Sequence, residues 1–395
     1  MDVELENMEV SGTFGDVISL PPCKNVVGCK WVYTIKYNAD GSVERYKARL
    51  VAKGYTQQEG VDFFETYSPV ARMGSVKFIL GLAAKRGWSL CQMDVTSAFL
   101  HSELDEEIYM SLPLGYTPAF GVLPPNPVFR LKKSIYGLKQ ASRQWYKCFS
   151  TILLNNVFSQ APSENTLFVK MTDSSFIALL VYVDDIMIAS NSDMEVSAVK
   201  ALLAKAFKIK DLGQARFFLG LEIARNANGI SVSQRKYCLN LLNDTGYLGC
   251  KPKNVPMDPT KALFKDTGVL LPPEEIRSYR ALIGRLLYLT ITQPDITFAA
   301  AQHVLKYLKG NPGQGLFYSA HDDIRLTAFS DADWGTCQDT RRSVIGMCTF
   351  LGTSLITRKS TKHKIVSSSS TESEYRVMAL ASDELVWLVQ LLRDL

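Results

Sequence analysis

The sequence predicts an α+β protein built on antiparallel hairpins, and three observations point there. Residues 176–181 and 186–189 are short apolar runs separated only by Tyr182-Val183-Asp184-Asp185. Such a pattern reads as a buried hairpin with charge at its tip. Residues 31–36 and 44–52 flank Asn38-Ala39-Asp40-Gly41, and Asp-Gly is a strong hairpin signal. Residues 217–223 and 230–233 bracket Arg225-Asn226-Ala227-Asn228-Gly229, a third hairpin with Asn and Gly at its tip. Helical patterns follow the hairpins at 201–208, 234–243, 280–289 and 296–308. Pro252, Pro256 and Pro259 punctuate a linker between the second and third of these.

Composition bounds the class. The 395 residues suit two or three domains, and 47% hydrophobic content is enough for packed cores. A net charge of +5 is mild, so any nucleic-acid surface is local. Eight cysteines show no CxxC pair, which predicts free thiols in a reducing compartment. No secretory signal is visible and no apolar run is long enough for a membrane span, so the expectation is an intracellular protein.

The chemistry is concentrated in carboxylates. Asp184 and Asp185 sit side by side at an apolar hairpin, where they repel each other and lose hydration. A divalent cation relieves both costs, although an aspartate-bearing turn explains the pair on its own. Asp94 follows a strand-like apolar stretch and precedes a helix start, a place that also suits an ordinary N-cap. Together the three would supply oxygen ligands for magnesium from adjacent strands of one sheet. Two such ions about 3.5–4 Å apart activate a hydroxyl and stabilise a leaving group in an in-line displacement.

Two further segments carry charge in a pattern. Lys47, Arg49 and Lys53 fall at spacings of two and four, which strand periodicity puts on one face. A solvated hairpin face is the plain reading of those cations. Residues 137–146 read as a turn leading into a helix, with Lys139, Gln140, Arg143 and Gln144 interleaved with Trp145 and Tyr146. That mixture suits stacking on bases and gripping backbone, and an amphipathic helix with core aromatics fits it nearly as well. Gly220, inside a strand, marks a close backbone approach or a bulge.

The motifs together resemble the reverse transcriptase of copia-type long-terminal-repeat retrotransposons, running on into RNase H. The matching segments occur in the family's order. They are Lys30-Trp31-Val32-Tyr33, residues 45–54, Gln92-Met93-Asp94-Val95 with Ala98-Phe99-Leu100, residues 134–146, the Tyr182–Asp185 box, and Lys210-Asp211-Leu212-Gly213 with residues 218–223. The resemblance covers the chain from about Gly28 onward.

That resemblance implies a right-hand polymerase of fingers, palm and thumb with an antiparallel palm sheet, followed by a truncated RNase H-like α/β unit. It divides the chain into a lead-in at 1–27, fingers, palm and the start of the thumb at 28–255, thumb and connection at 256–320, and a partial RNase H at 321–395. It implies catalysis and metal binding by Asp94, Asp184 and Asp185, with magnesium as cofactor and manganese as a substitute. Arg49 and Lys47 would hold the incoming triphosphate, Arg49 through a bidentate fork. Phe99 lies where the family has its aromatic sugar gate. Gly137 and Gln140 would help form the nucleotide pocket, and Lys139 and Arg143 would meet nucleic acid. Phe218, Leu219 and Gly220 resemble the primer grip. The implied partners are an RNA or DNA template with its primer and deoxynucleoside triphosphates, with no membrane. The implied setting is a cytoplasmic retrotransposon particle or the nucleus.

In the last segment Asp331 and Glu374 match the first two metal ligands of the family's RNase H, although residues 371–374 also read as a capping box. The third and fourth carboxylates of that fold have no counterpart before Leu395. The expectation is an inactive RNase H unit with exposed sheet edges. The chain therefore reads as a fragment of a polyprotein or the translation of a decayed copy. A non-catalytic remnant that keeps the fold and nucleic-acid binding is the alternative to an active polymerase.

Overall fold

The computed structural model describes residues 1–395 except 39, 119–121, 258–269, 297–300 and 338. Ala39 of the first expected turn, Pro259 of the linker and residues 297–300 of the last expected helix lie outside the described residues.

The chain opens with α1 (Asp2–Val10), β1 (Phe14–Ser19) and β2 (Val26–Val27). The hairpin of β3 (Cys29–Tyr37) and β4 (Val43–Ala52) follows, and then α2 (Met73–Arg86) and β5 (Ser89–Val95). β6 (Glu103–Ser111) and β7 (Pro127–Lys133) complete a four-stranded sheet in the order β1-β7-β6-β2. Residues 1–27, read in the sequence as a lead-in, thus supply a helix and two strands of that sheet. Met8 and Val27 are buried with Leu50, Ile108, Phe129 and Leu131 in one core. Among the described residues the β3–β4 hairpin pairs with no other strand, and its register separates two faces. Arg49 opposite Val32 and Lys47 opposite Thr34 lie on one face, while Tyr33, Ile35 and Tyr46 lie on the other.

The second section supplies α3 (Ala141–Leu154), β8 (Ser159–Ala161), β9 (Glu164–Met171), β10 (Phe176–Tyr182) and β11 (Asp185–Ser190). It ends with α4 (Asp193–Ala206) and β12 (Ile209–Gln214). These strands enclose β5 in a six-stranded sheet ordered β12-β5-β11-β10-β9-β8, antiparallel throughout. Alternation along β10 and β11 feeds two cores. Ala178, Leu180, Met187 and Ala189 pack with residues of α2, including Val76, Leu80 and Ala83. Leu179, Val181, Ile186 and Ile188 pack with Trp145, Phe149 and Leu203 of α3 and α4. Both faces are covered, which explains why these strands read as continuous apolar runs.

A third section contains β13 (Phe217–Phe218), β14 (Leu221–Asn226), β15 (Gly229–Ser233), α5 (Arg235–Asp244), α6 (Pro273–Leu289), α7 (Ala301–Gly310) and β16 (Gly315–Ser319). Its strands form one sheet in chain order, and its helices share a core of Leu241, Leu242, Leu286, Leu289, Val304 and Leu305.

The last section is β17 (Leu326–Asp333), β18 (Val344–Leu351), β19 (Ser354–Lys362) and the long α8 (Ser370–Asp394). Its three strands form a sheet in chain order, so β17 and β19 are edges. The cap of α8 differs from the sequence reading. Ser369 accepts from the Glu372 N–H at 3.1 Å, so Glu372 fills the third position of the capping box and Glu374 is released from it.

The far end of α8 does not stay with its own sheet. Leu388, Leu391 and Leu395 are buried in the core that holds α2. The Trp387 indole N–H donates to the Ser163 carbonyl at 3.1 Å, and Asp394 accepts from the Ser163 N–H at 3.1 Å. No described helix is long and apolar enough to cross a membrane. All eight cysteines are free thiols.

Candidate active site and nucleotide pocket

Asp94 is the penultimate residue of β5 and Asp185 begins β11, and the two are direct partners across the strands. Direct partners project from the same face of the sheet. Asp184 precedes Asp185 in the turn from β10, and its carbonyl accepts from the Val95 N–H at 2.8 Å. The three carboxylates named from the sequence therefore meet at one end of two neighbouring strands.

Their electrostatics follow from that placement. Burial first, then the charge of Asp94, pushes the Asp184 carboxyl above its usual range, while Arg49 and Lys47 draw it back. Asp185 is raised by burial and then by Asp184, with the Gln92 amide, 3.3 Å away, opposing. Half-buried carboxylates raised by burial and by a neighbouring carboxylate are a donor set suited to a hard divalent cation. Among the described residues, however, no three His, Cys, Asp or Glu side chains are arranged to hold a metal ion as they stand.

The basic face of the hairpin is turned to this cluster. The Arg49 guanidinium lies over the Tyr136 ring, 5.1 Å from its centroid. Tyr136 in turn meets Phe99 edge-on at 4.9 Å. Arg49, Tyr136 and Phe99 thus form a continuous wall beside the aspartates. Tyr136 is the member that sequence reasoning did not single out. Its signal was its place beside Gly137, one residue from a position that was chosen.

Gly137 has a packing role that the structure shows directly. Its φ is 94°, and a Cβ there would lie 2.1 Å from the Ala52 carbonyl oxygen. The glycine lets the turn seat against the base of β4, where the Ala52 N–H donates to the Tyr136 carbonyl at 2.7 Å. It sets where the hairpin stands.

Gln140 is held inside the protein. It is fully buried, and its amide nitrogen donates to the Asp62 carbonyl at 3.1 Å while its oxygen accepts from Gln57 at 3.1 Å. Buried amides are committed to partners because an unmade bond is costly. Lys139 is likewise engaged, with Nζ 3.2 Å from the Gln57 carbonyl and 4.5 Å from the Phe63 ring centroid. Arg143 pairs with Glu65 at 2.6 Å. All three brace the 57–65 loop.

The residues matched to the primer grip divide. Phe218 is fully buried in the core, which removes it from any surface role. Leu219 and Gly220 form a two-residue turn with φ of 50° and 77°, both positive as in a type I′ hairpin. The group that approaches Gly220 closely belongs to the chain itself. A Cβ there would lie 2.1 Å from the Tyr288 hydroxyl, which donates to the Leu219 carbonyl at 2.7 Å.

Far along the chain, Asp331 is exposed on the edge strand β17. Glu374 of α8 accepts from the N–H of Ala332, the next residue in the chain, at 3.2 Å.

The sheet with its aspartate pair, the basic hairpin and the motif order agree with what the sequence shares with known proteins. Residues 13–259 match the family described as reverse transcriptase (RNA-dependent DNA polymerase), and the chain belongs to that family. The copia-type resemblance is also borne out. The chain is 42% identical, over 95% of its length, to the retrovirus-related Pol polyprotein from transposon RE2 of Arabidopsis thaliana. It is 40% identical over 98% to that of transposon RE1 of the same plant, and 35% identical over 100% to that of transposon TNT 1-94 of Nicotiana tabacum. It spans only 27%, 27% and 31% of those polyproteins respectively.

Proposed function

We propose that the chain is the RNA-directed DNA polymerase portion of a copia-type Pol polyprotein, extending a primer 3′-hydroxyl on an RNA or DNA template. In this reading the six-stranded sheet is the palm, the β3–β4 hairpin belongs to the fingers, and α5 to α7 form the thumb. The observation that carries it is the placement of Asp94 opposite Asp185, beside Asp184, within the electrostatic reach of Lys47 and Arg49.

Each residue then has a task. Asp94, Asp184 and Asp185 would hold magnesium, or manganese in its place. Bound there, the metal would favour ionisation of the primer hydroxyl and stabilise the departing pyrophosphate. Arg49 and Lys47 bind the triphosphate, and Tyr136 orients the Arg49 guanidinium through ring contact. Phe99, backed by Tyr136, meets the sugar and disfavours a 2′-hydroxyl. Template and primer are held mainly through phosphates, so binding weakens steeply with salt and carries little sequence preference. The tip at Leu219 and Gly220 faces the primer as part of a hairpin rigidified by Tyr288. Asp331 and Glu374 are the carboxylates of an RNase H-like unit, a reading supported by the contact between Glu374 and the Ala332 N–H.

Extension of oligo(dT) on poly(rA) by the purified chain, with magnesium and dTTP, tests the reading. Activity that Asp184→Asn abolishes is expected. A folded wild-type chain that binds duplex and extends nothing would leave the non-catalytic remnant as the better account.

A further inference from the structure

Val183 separates Tyr182 from the two aspartates and has a φ of 53°. Tyr182 and Asp185 are the last paired residues of the hairpin, so Val183 and Asp184 form a two-residue connection. Of those two residues only Val183 has a positive φ. That is the pattern of a type II′ turn, whose first central position ordinarily takes glycine. A β-branched residue there is a genuine outlier and persists only where its surroundings hold it.

The surroundings supply one directed bond. The Trp145 indole N–H donates to the Val183 carbonyl at 2.7 Å. Tryptophan has a single polar hydrogen and no acceptor, so this bond uses all of its hydrogen-bonding capacity. The ring itself is fixed. It is 2% exposed and meets Phe207 at 4.9 Å, Phe149 at 5.5 Å and His101 at 6.2 Å between centroids. On the other side of the turn the Asp184 carbonyl is tied to Val95. Both loop carbonyls are thus held, one by α3 and one by β5.

We propose that Trp145 is a positioning residue for the polymerase carboxylates, its indole N–H holding Val183 in the turn conformation that aims Asp184 and Asp185. This rests on the polymerase reading above and adds to it a device outside the cluster. Neither a stacking surface nor a plain core aromatic, the two readings available for this helix from the sequence, needs a bond to the turn.

Trp145→Phe keeps most of the aromatic packing and removes the donor. In the full chain its kcat for dTTP is expected to fall roughly tenfold or more, with KM changed by less than about twofold. Manganese binding, read by electron paramagnetic resonance, weakens in parallel. Adding Val183→Gly recovers most of both losses, because glycine takes a positive φ without a tether. A purely structural tryptophan would lower thermal stability without that specific rescue. Unchanged kcat in Trp145→Phe, or a loss that Val183→Gly leaves in place, overturns the proposal. Should the wild-type chain extend no primer, the polymerase reading fails instead, and hydrogen exchange over residues 182–186 decides the positioning. Faster exchange there in Trp145→Phe is expected, and identical exchange overturns it.

Discussion

Asp94 and Asp185 stand directly opposite one another across β5 and β11, two like charges at a position where strand pairs gain from opposite ones. Both Asp185 and its neighbour Asp184 hold their protons more tightly than free aspartate, burial being the first cause. A carboxyl raised in the fold adds stability below its unfolded value, and that contribution is lost as pH rises through the raised one. The unliganded chain therefore carries a penalty at neutral pH.

Asp185→Asn should remove part of that penalty while keeping the Gln92 contact, because an amide oxygen still accepts. After screening at a half-buried site the gain is on the order of 0.5 to 1 kcal/mol, roughly 1–2 °C in Tm for a chain of this size. Scanning calorimetry at pH 7 and at pH 3.5 should show the gain at the first and not at the second. An equal or lower Tm at pH 7 would mean that the carboxylates do not oppose folding.

The end of α8 is held by residues more than two hundred positions away. A Cβ on Gly74 would lie 2.9 Å from the Trp387 ring, so only glycine lets that indole rest on α2. Arg72 stacks over the same ring at 5.2 Å, and the ring N–H reaches Ser163. Trp387→Ala should cost about 2–4 kcal/mol, as removal of a large packed aromatic does. Because Leu388 and Leu391 share a core with α2 and the central sheet, the loss should move the main unfolding transition. Denaturant unfolding followed by tryptophan fluorescence and by circular dichroism checks this. A separate early transition of the C-terminal segment, with the main one unmoved, would contradict it.

What the sequence made legible was local. The hairpin of β10 and β11 announced itself by two apolar runs around Asp184 and Asp185, and strand alternation put Lys47 and Arg49 on one face, while Lys53, expected on that face too, falls just past the end of β4. Asp94 became part of the same cluster only through strand pairing, which the motif order suggested and residue spacing did not. The remaining differences come from contacts between distant segments. Gln140 looks like a free polar group until residues 57–62 close over it, and Phe218 looks like a surface aromatic until the third sheet packs against α2. The close approach at Gly220 was legible, but its partner lies on α6, beyond any local pattern.

Lys77 sits on the same face of α2 as Gly74 and Gly81 by helical spacing, and it is 8% exposed. Burial pushes its ammonium down to about 8. An unfolded lysine keeps its proton to higher pH, so stability should climb as pH rises from about 8 toward the ordinary lysine value. Lys77→Met should raise stability at pH 7 by a few kcal/mol and flatten that climb. Urea midpoints of both proteins at pH 7, 8.5 and 10 give the comparison. Parallel curves would show that the ammonium reaches water without penalty.

Gly220 and Tyr288 make a pair whose energetics can be separated. Alanine at 220 must hold a φ near 77° and place its Cβ 2.1 Å from the Tyr288 hydroxyl, with the ring carbon behind it 3.3 Å away. Gly220→Ala should therefore cost about 2 kcal/mol, part backbone and part collision. Tyr288→Phe alone gives up the bond to the Leu219 carbonyl and should cost about 1 kcal/mol. Combined, the two changes should cost less than their sum, because removing the hydroxyl relieves the closest contact. A double-mutant cycle on unfolding free energies measures that coupling. Strict additivity would mean that the turn at Leu219 and Gly220 moves away from Tyr288, and that its position is set by the strands β13 and β14 alone.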